Sequence, residues 1–443
     1  MSVHLSPLLP LVGADAEVPL VDGRSVRHVN LDGAASAPAL VAVADRVTAA
    51  LPWYGSVHRG AGFASQISTT LYEQARSTVG AFVDARSEDV TIFTRNTTDA
   101  TNLLASAVPG RVLVLDVEHH ANLLPWQRSL GGSEVVTARA TVAETLGAIE
   151  DALATLQFSL LAITGASNVT GEALPLEAVA DLAHRYGARI FVDGAQLLAH
   201  RRVSLAATGI DYIAFSGHKL YAPFGAGALI GRRDWLDAAE PYLAGGGAVR
   251  QVDVDQVAWA PSPARHEGGT PNLLGAVAIA AAATELLSLP DEFVREHEDQ
   301  LSQRLIDGLS AHPEVDVIRL WPDSPTAIGV ATFRILGTDP GLLATFLAAE
   351  HGVSVRDGRF CAHPLLDRLG WGDGGVRASL GIGSRSSDVD RLLAGVAAWI
   401  AGDVAAEYRI TDDGTWEVVD DPRQAPTDLH LGVLKTVAGT CVA

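Results

Sequence analysis

The sequence predicts an α/β protein: a large domain built on a mainly parallel sheet covered by helices, followed by a smaller domain of mixed helices and strands. Short apolar runs rich in β-branched residues occur at 111–115, Leu160–Thr164, Arg189–Asp193 and Tyr212–Ser216, and their length and unbroken hydrophobicity suit strands buried on both faces. Between two of them Leu176, Val179, Ala183 and Tyr186 share one helical face, and Gly187 stands where such a helix ends. Strand, helix and strand in repeated succession is the pattern of parallel strands joined by crossover helices, which then close both faces of the sheet.

Further along, the pattern changes. Gly245-Gly246-Gly247 and the stretch 253–269, with two prolines and no clear period, read as an excursion outside the core. After Pro271 the alanine-rich stretch 274–287 reads as a long helix leading into the second domain. There, helical patterns at 292–309, 341–351 and 387–400 flank strands near 331–335 and 353–355. From Gly402 the chain is acidic and turn-rich as far as Leu431, and its residues suggest no role. We expect an N-terminal arm over 1–30, the large domain over 31–285, the small domain over 286–400 and an extension over 401–443.

The balance of 48% hydrophobic and 19% charged residues over 443 positions is that of a globular protein with room for two or three domains. With 52 acidic against 32 basic residues, the formal charge of −20 repels a polyanion over most of the surface, so nucleic acid is not an expected partner. The two cysteines, Cys361 and Cys441, are too few for a disulfide framework or a multi-cysteine metal site and fit a reducing compartment. No basic stretch precedes the short apolar run at the N-terminus, and no apolar segment reaches about 18 residues. A cytoplasmic protein without a membrane span is expected.

The strand ends carry the chemistry. Lys219, in Ser216-Gly217-His218-Lys219, follows Tyr212–Ser216 directly, and Asp193 closes Arg189–Asp193 in Val192-Asp193-Gly194-Ala195-Gln196. Singly, each has an ordinary reading, the aspartate as a turn or cap and the lysine as a solvated surface charge. Together they place an amine and a carboxylate at the carboxyl ends of two strands, where open α/β sheets bind ligands. Pyridoxal phosphate needs such an amine for a Schiff base and such a carboxylate to keep its pyridine nitrogen protonated. It also needs a flat group against the ring and donors around the phosphate.

Ser-Gly-His-Lys after Asp-Gly-Ala-Gln on successive strands is the pattern of the class V aminotransferase family, and the chain resembles that family from about residue 31 to 400. Leu31-Asp32-Gly33-Ala34-Ala35 is similar to its opening strand. Val57-His58-Arg59-Gly60 and Tyr72-Glu73-Gln74-Ala75-Arg76 resemble the segment that follows in the group II (Suf-type) cysteine desulfurases and selenocysteine lyases. The resemblance implies fold type I of the pyridoxal-phosphate enzymes, with a seven-stranded sheet in the large domain.

It also implies roles for residues. Thr97 and Thr98, in Arg95-Asn96-Thr97-Thr98-Asp99-Ala100-Thr101-Asn102, match the phosphate turn, and hydroxyls and N–H groups at a helix N-terminus suit a dianion on electrostatic grounds; the plain alternative for Thr97 is an N-cap. His119, in Glu118-His119-His120-Ala121-Asn122, matches the residue that stacks on the ring and handles protons. Its neighbour His120 does not make a metal site with it, since adjacent side chains point apart and no cysteine or third histidine stands at ligand spacing; no metal is expected. By the same resemblance Asn168, in Ser167-Asn168-Val169-Thr170-Gly171, contacts the phenolic oxygen of the cofactor and the substrate carboxylate. Gln196 bonds that oxygen too, and Ser216 and His218 hold the phosphate. Thr270, in Glu267-Gly268-Gly269-Thr270-Pro271-Asn272, matches a threonine that reaches the phosphate of the neighbouring subunit, which implies a homodimer. Arg377, in Val376-Arg377-Ala378-Ser379-Leu380, matches the arginine that clamps the substrate α-carboxylate with two parallel bonds. Arg356 and His58 are further expected substrate contacts.

Class V hosts several reactions, and a cysteine divides them. Val355-Arg356-Asp357-Gly358-Arg359-Phe360-Cys361-Ala362-His363-Pro364 resembles the desulfurase loop whose thiolate attacks the substrate sulfur, and the cations Arg356 and Arg359 would favour a thiolate there. The ordinary reading of Cys361 is a small buried hydrophobe. The resemblance implies conversion of L-cysteine to L-alanine, with Lys219 as the base, the sulfur held on Cys361 as a persulfide, and a sulfur-acceptor protein as partner. Group II enzymes commonly carry two histidines immediately before the cysteine, where this chain has Arg359-Phe360. A carbon–sulfur lyase that releases sulfide therefore stays open as the alternative.

Overall fold

The apolar runs form the middle of a seven-stranded sheet in a computed structural model that describes residues 4–430; Cys441 lies outside the described residues. In chain order the strands are β1 (Asp89–Thr94), β2 (Val112–Leu115), β3 (Ser133–Val136), β4 (Leu160–Thr164), β5 (Arg189–Asp193), β6 (Tyr212–Ser216) and β7 (Gly227–Arg232). They lie side by side as β1-β7-β6-β5-β4-β2-β3. Neighbours from β2 to β6 are parallel, whereas β7 runs antiparallel between β1 and β6. Every residue of β2, β4 and β6 is buried because helices cover both faces. The edge strand β3, Ser-Glu-Val-Val, is half exposed and has no apolar run to betray it.

The helices that frame the site are α1 (Phe63–Phe82), α2 (Thr97–Ala107), α3 (Leu176–Arg185) and α4 (Leu273–Ser288). On α3 the predicted Val179 and Ala183 are buried together with Ala180 and Leu182, while Leu176 and Tyr186 are half-buried against the same core, and Gly187 follows at φ 77°. On α4 the buried alanines 276, 278, 282 and 283 leave little bulk, so that helix packs closely against α1 and the sheet. The excursion before it holds an exposed hairpin, Val249–Val252 with Val257–Trp259, where no strand was expected.

After α4, strands β8 (Val315–Val317), β9 (Val330–Ile335), β10 (Arg356–Gly358) and β11 (Gly375–Ser379) form an antiparallel sheet ordered β8-β9-β11-β10. Helices α5 (Asp291–Ser310), α6 (Pro340–His351) and α7 (Ser386–Ala401) cover it around a separate core that includes Leu305, Phe333, Phe346 and Val389. Val29 and Leu31 are buried in this core, and Val29–Asn30 pairs in parallel with Val353–Ser354. Beyond Gly402 the turn-rich stretch contains a second hairpin, Tyr408–Ile410 with Trp416–Val418. Among the described residues no single helix is long and apolar enough to cross a membrane.

Candidate active site

The carboxyl ends of β5 and β6, the start of α2 and the segment between β10 and β11 converge on one cavity of about 250 Å³. The register that sets Asp193 opposite Ala214 brings both strands to the same end of the sheet, so Asp193 and Lys219 line this cavity together. Asp193 is 4% exposed, and its Oδ1 accepts a 2.9 Å hydrogen bond from Ala195 N. Burial pushes its carboxyl above the usual range, opposed by that N–H and by the Lys219 charge. Burial also brings the Lys219 amine down to about 8, outweighing the attraction of Asp193.

At the start of α2, Asn96 caps the helix by accepting from Asp99 N. Thr97 N and Thr97 Oγ1 each lie 2.8 Å from Ser216 Oγ, so two hydroxyls and a helix N-terminus meet at one point, and Thr98 opens toward the cavity beside them. His218 lines the same wall, and burial and then Lys219 lower its pKa. Gln196 Nε2 donates to Ala34 O at 2.8 Å.

His119 stands in the turn after β2. Its Nδ1 accepts from Ala121 N at 3.0 Å, which puts the proton of the neutral ring on Nε2. Burial, followed by the cations Lys219, His120 and Arg377, lowers its pKa to about 3, so the ring is neutral across the physiological range. Glu118, for which the sequence suggests no role, is fully buried next to it in the chain. Its Oε2 accepts from Asn122 Nδ2 at 2.6 Å, and Asn122 Oδ1 accepts from Trp126 Nε1 at 2.9 Å. Burial raises the Glu118 carboxyl well above the usual range. Its place next to His119 was the signal that it braces the histidine turn.

On the far wall Arg377, 4% exposed, donates from Nη1 to Asn168 O at 2.9 Å and lies 3.8 Å from Asp32 Oδ1 through Nη2, with its guanidinium 5.1 Å from the Phe360 ring centre. Its Nε is buried with no hydrogen-bond partner, a donor left available to a carboxylate. Asn168 Nδ2 donates to Phe360 O at 2.7 Å, so in this state the side-chain amide is committed to the cysteine loop rather than to open space. Phe360 and Cys361 are consecutive residues at φ 52° and 53°, an uncommon backbone held by that bond and by His120 N donating to Cys361 O at 2.9 Å. Cys361 and Arg356 both line the cavity.

Two expected residues lie elsewhere. The structure does not bring His58 into the cavity: its Nε2 is 2.8 Å from Glu73 Oε1, and the residue is exposed. Thr270 is also exposed, just ahead of α4. Their segments touch, because the Arg59 guanidinium bonds the carbonyls of Gly246 and Gly269 at 2.7 and 3.1 Å. A second cavity of about 310 Å³ against the N-terminal arm shares Ala34, Gln196 and Lys219 with the first, but Asp193, His119, Arg377 and Cys361 all face the first. A buried carboxylate short of positive charge, an amine near neutrality, a flat neutral ring and hydroxyls at a helix N-terminus form a donor set that fits pyridoxal phosphate.

The sequence profile described as Aminotransferase class-V matches residues 29–392, and the chain belongs to that family. Among curated proteins, a "Probable cysteine desulfurase" of Vibrio cholerae is 36% identical over 379 residues, covering 83% of this chain and 92% of the relative. A "Cysteine desulfurase" of Dickeya dadantii is 35% identical over 389 residues, covering 85% and 92%. Among solved structures, the cysteine desulfurase CsdA of Escherichia coli superposes with a TM-score of 0.74 at 32% identity over 85% of this chain and 96% of that one. The apo cysteine desulfurase of Thermococcus onnurineus gives 0.79 at 29% identity over 91% and 100%.

Proposed function

We propose that the protein is a pyridoxal-phosphate-dependent cysteine desulfurase that converts L-cysteine to L-alanine and takes the sulfur onto Cys361 as a persulfide. The observation that carries this reading is the placement of Cys361, on a loop of unusual backbone, in the same cavity as Lys219, Asp193 and Arg377. The relatives named as cysteine desulfurases, similar over most of their length, support it.

Bound pyridoxal phosphate would supply the electron sink that makes the substrate α-proton acidic. Lys219 would hold it covalently at rest and, once released by the substrate amine, take the α-proton; an amine near 8 is an effective base at neutral pH. Asp193 would keep the ring nitrogen protonated, and His119 would lie on the ring face with its proton on Nε2. Thr97, Thr98, Ser216 and His218 would hold the phosphate, with Asn168 and Gln196 near the phenolic oxygen. Arg377 would bind the substrate carboxylate through its unpartnered Nε, with Arg356 adding charge. The Cys361 thiolate then attacks the substrate sulfur: a sulfur–sulfur bond forms, the carbon–sulfur bond breaks, and the released three-carbon unit gains the protons that make alanine. The sulfur leaves later to an acceptor protein, and a thiol nucleophile of this kind suits the reducing cytoplasm.

We place a second copy of the chain against the face that carries Thr270 and His58. Trp53, Tyr54 and Phe63 are exposed there, apolar surface that a homodimer would cover. In that dimer Thr270 would serve the partner's phosphate site and His58 the partner's substrate.

A carbon–sulfur lyase is the second reading, favoured by Arg359 and Phe360, which stand where group II desulfurases commonly carry two histidines, with the Arg359 guanidinium paired to Asp367. Incubating the holoenzyme with L-cysteine and a reductant decides between them. Alanine with sulfide supports the desulfurase, and pyruvate with sulfide supports the lyase.

A further inference from the structure

The family match ends at residue 392, yet the chain continues into an ordered extension whose role its sequence did not suggest. Two anchors fix this extension to the small domain. The first is Glu350 on α6, whose carboxylate accepts from Ala405 N, Ala406 N and Tyr408 Oη at 2.7–3.1 Å. The second is Trp416 in the hairpin. Its indole rests on the bare Cα of Gly341 at the start of α6, where a methyl group would stand 3.2 Å from Trp416 Cδ1 and 3.3 Å from Asp357 Oδ2. The indole, the Asp357 carboxylate and the Asp339 carboxylate that caps α6 therefore all border the same glycine.

Asp357 is the middle residue of β10, the edge strand of the small sheet, paired on one side only. Successive strand residues point to opposite faces, and while Asp357 turns toward Gly341 on α6 its neighbour Arg356 lines the candidate active site. Two residues beyond the strand come Phe360 and Cys361 with their left-handed backbone. An edge strand with a single ladder is the weakest place in a sheet, and this one leads directly into the loop that must hold the nucleophile.

We propose that Trp416 is a positioning residue: packed from outside on Gly341, it braces the start of α6, which Asp357 of β10 approaches at the same glycine, and so sets the placement of Arg356 and the Cys361 loop. This rests on the desulfurase reading for the meaning of Cys361, but not for its test, because thiol accessibility is measured without turnover.

The test compares holoenzyme carrying Trp416→Ala and Trp416→Phe with wild type, following alkylation of Cys361 by iodoacetamide, resolved from Cys441 by peptide mass spectrometry, and KM and kcat with L-cysteine. The alanine variant should alkylate Cys361 at a rate altered by about fivefold or more through local loosening. Its KM should rise about severalfold at nearly constant cofactor occupancy, a split that simple loss of folded protein does not produce. The phenylalanine variant, which keeps a flat ring over Gly341, should restore both. Glu350→Gln, which weakens the other anchor, should move both in the same direction if Trp416→Ala does not fold. Alkylation rates and KM within twofold of wild type in Trp416→Ala and Glu350→Gln, with only the melting temperature lowered, would overturn the proposal. If wild type instead made pyruvate, the desulfurase reading would fall while the alkylation result still judged the brace.

Discussion

Asn168 and Phe360 are joined by a 2.7 Å hydrogen bond from the side-chain amide to the backbone carbonyl, which ties the turn after β4 to the residue preceding Cys361. The large domain thus holds the cysteine loop by this side-chain donor as well as by the backbone N–H of His120, close to where Arg377 reaches the carbonyl of the same Asn168. Asn168→Asp removes that donor and sets a carboxylate against a carbonyl oxygen. Losing a buried bond and leaving its acceptor unpaired costs about 1–3 kcal/mol, so kcat/KM for L-cysteine should fall about tenfold to a hundredfold. Steady-state kinetics on the cofactor-loaded variant check this, and unchanged kcat/KM would show that the tie is idle.

Lys219 gives a pH signature. Its amine, brought down to about 8 from the ordinary 10.5, is protonated below that pH and free above it. The rate at which cofactor-free protein attaches pyridoxal phosphate covalently, read after borohydride trapping, should rise about tenfold per pH unit up to about pH 7.5 and level off above about 8.5. A lysine of ordinary pKa would still gain tenfold between pH 8 and 9. Lys219→Ala should trap none, since no other lysine occurs among the described residues.

Asp193→Asn removes the charge that a protonated ring nitrogen would meet. The amide can still fill the space and keep the Ala195 bond, so cofactor should bind, but turnover should drop by about two decades or more because the missing charge matters most as the carbanion develops. Comparing bound cofactor with kcat separates the two effects; near-wild-type kcat would remove Asp193 from its assigned role.

Glu267 anchors the Thr270 segment. Its carboxylate takes two bonds from Arg76, one from Tyr72 Oη and one from Phe93 N, at 2.7–3.0 Å, with both ion-pair side chains largely buried. Glu267→Gln leaves the Arg76 charge with Glu73 alone, a half-exposed carboxylate, and should cost about 2 kcal/mol of stability, read from urea denaturation. A cost below about 0.5 kcal/mol, the range of ordinary surface changes, would contradict this.

Asp193 and Lys219 were legible in the sequence because hydrophobic runs fix where strands end, and a residue at such an end has few places to go. The strand β7 was harder, since Gly-Ala-Leu-Ile reads alike in either direction and nothing local says that it inserts antiparallel between β1 and β6. The pairing of Val29–Asn30 with Val353–Ser354 joins segments more than 300 positions apart, a distance over which periodicity carries no information. The position of His58 outside its own chain's cavity was not legible for a similar reason: its motif fixes its neighbours in the chain, but the bond to Glu73 depends on how α1 sits. The extension did carry a signal. Asp413-Gly414, with Gly414 at φ 81°, lies between Tyr-Arg-Ile and Trp-Glu-Val, and a turn pair flanked by alternating residues marks a hairpin.

Sulfur transfer to Cys361 is read from the intact mass of the holoenzyme after one turnover of L-cysteine without reductant. The expected result is one added sulfur, about 32 Da, mapped to the peptide containing Cys361, with one alanine released per subunit. Cys361→Ala should bind cofactor and L-cysteine yet release no alanine. An unmodified Cys361 in wild type, with Cys361→Ala turning L-cysteine into pyruvate and sulfide at an undiminished rate, would contradict it.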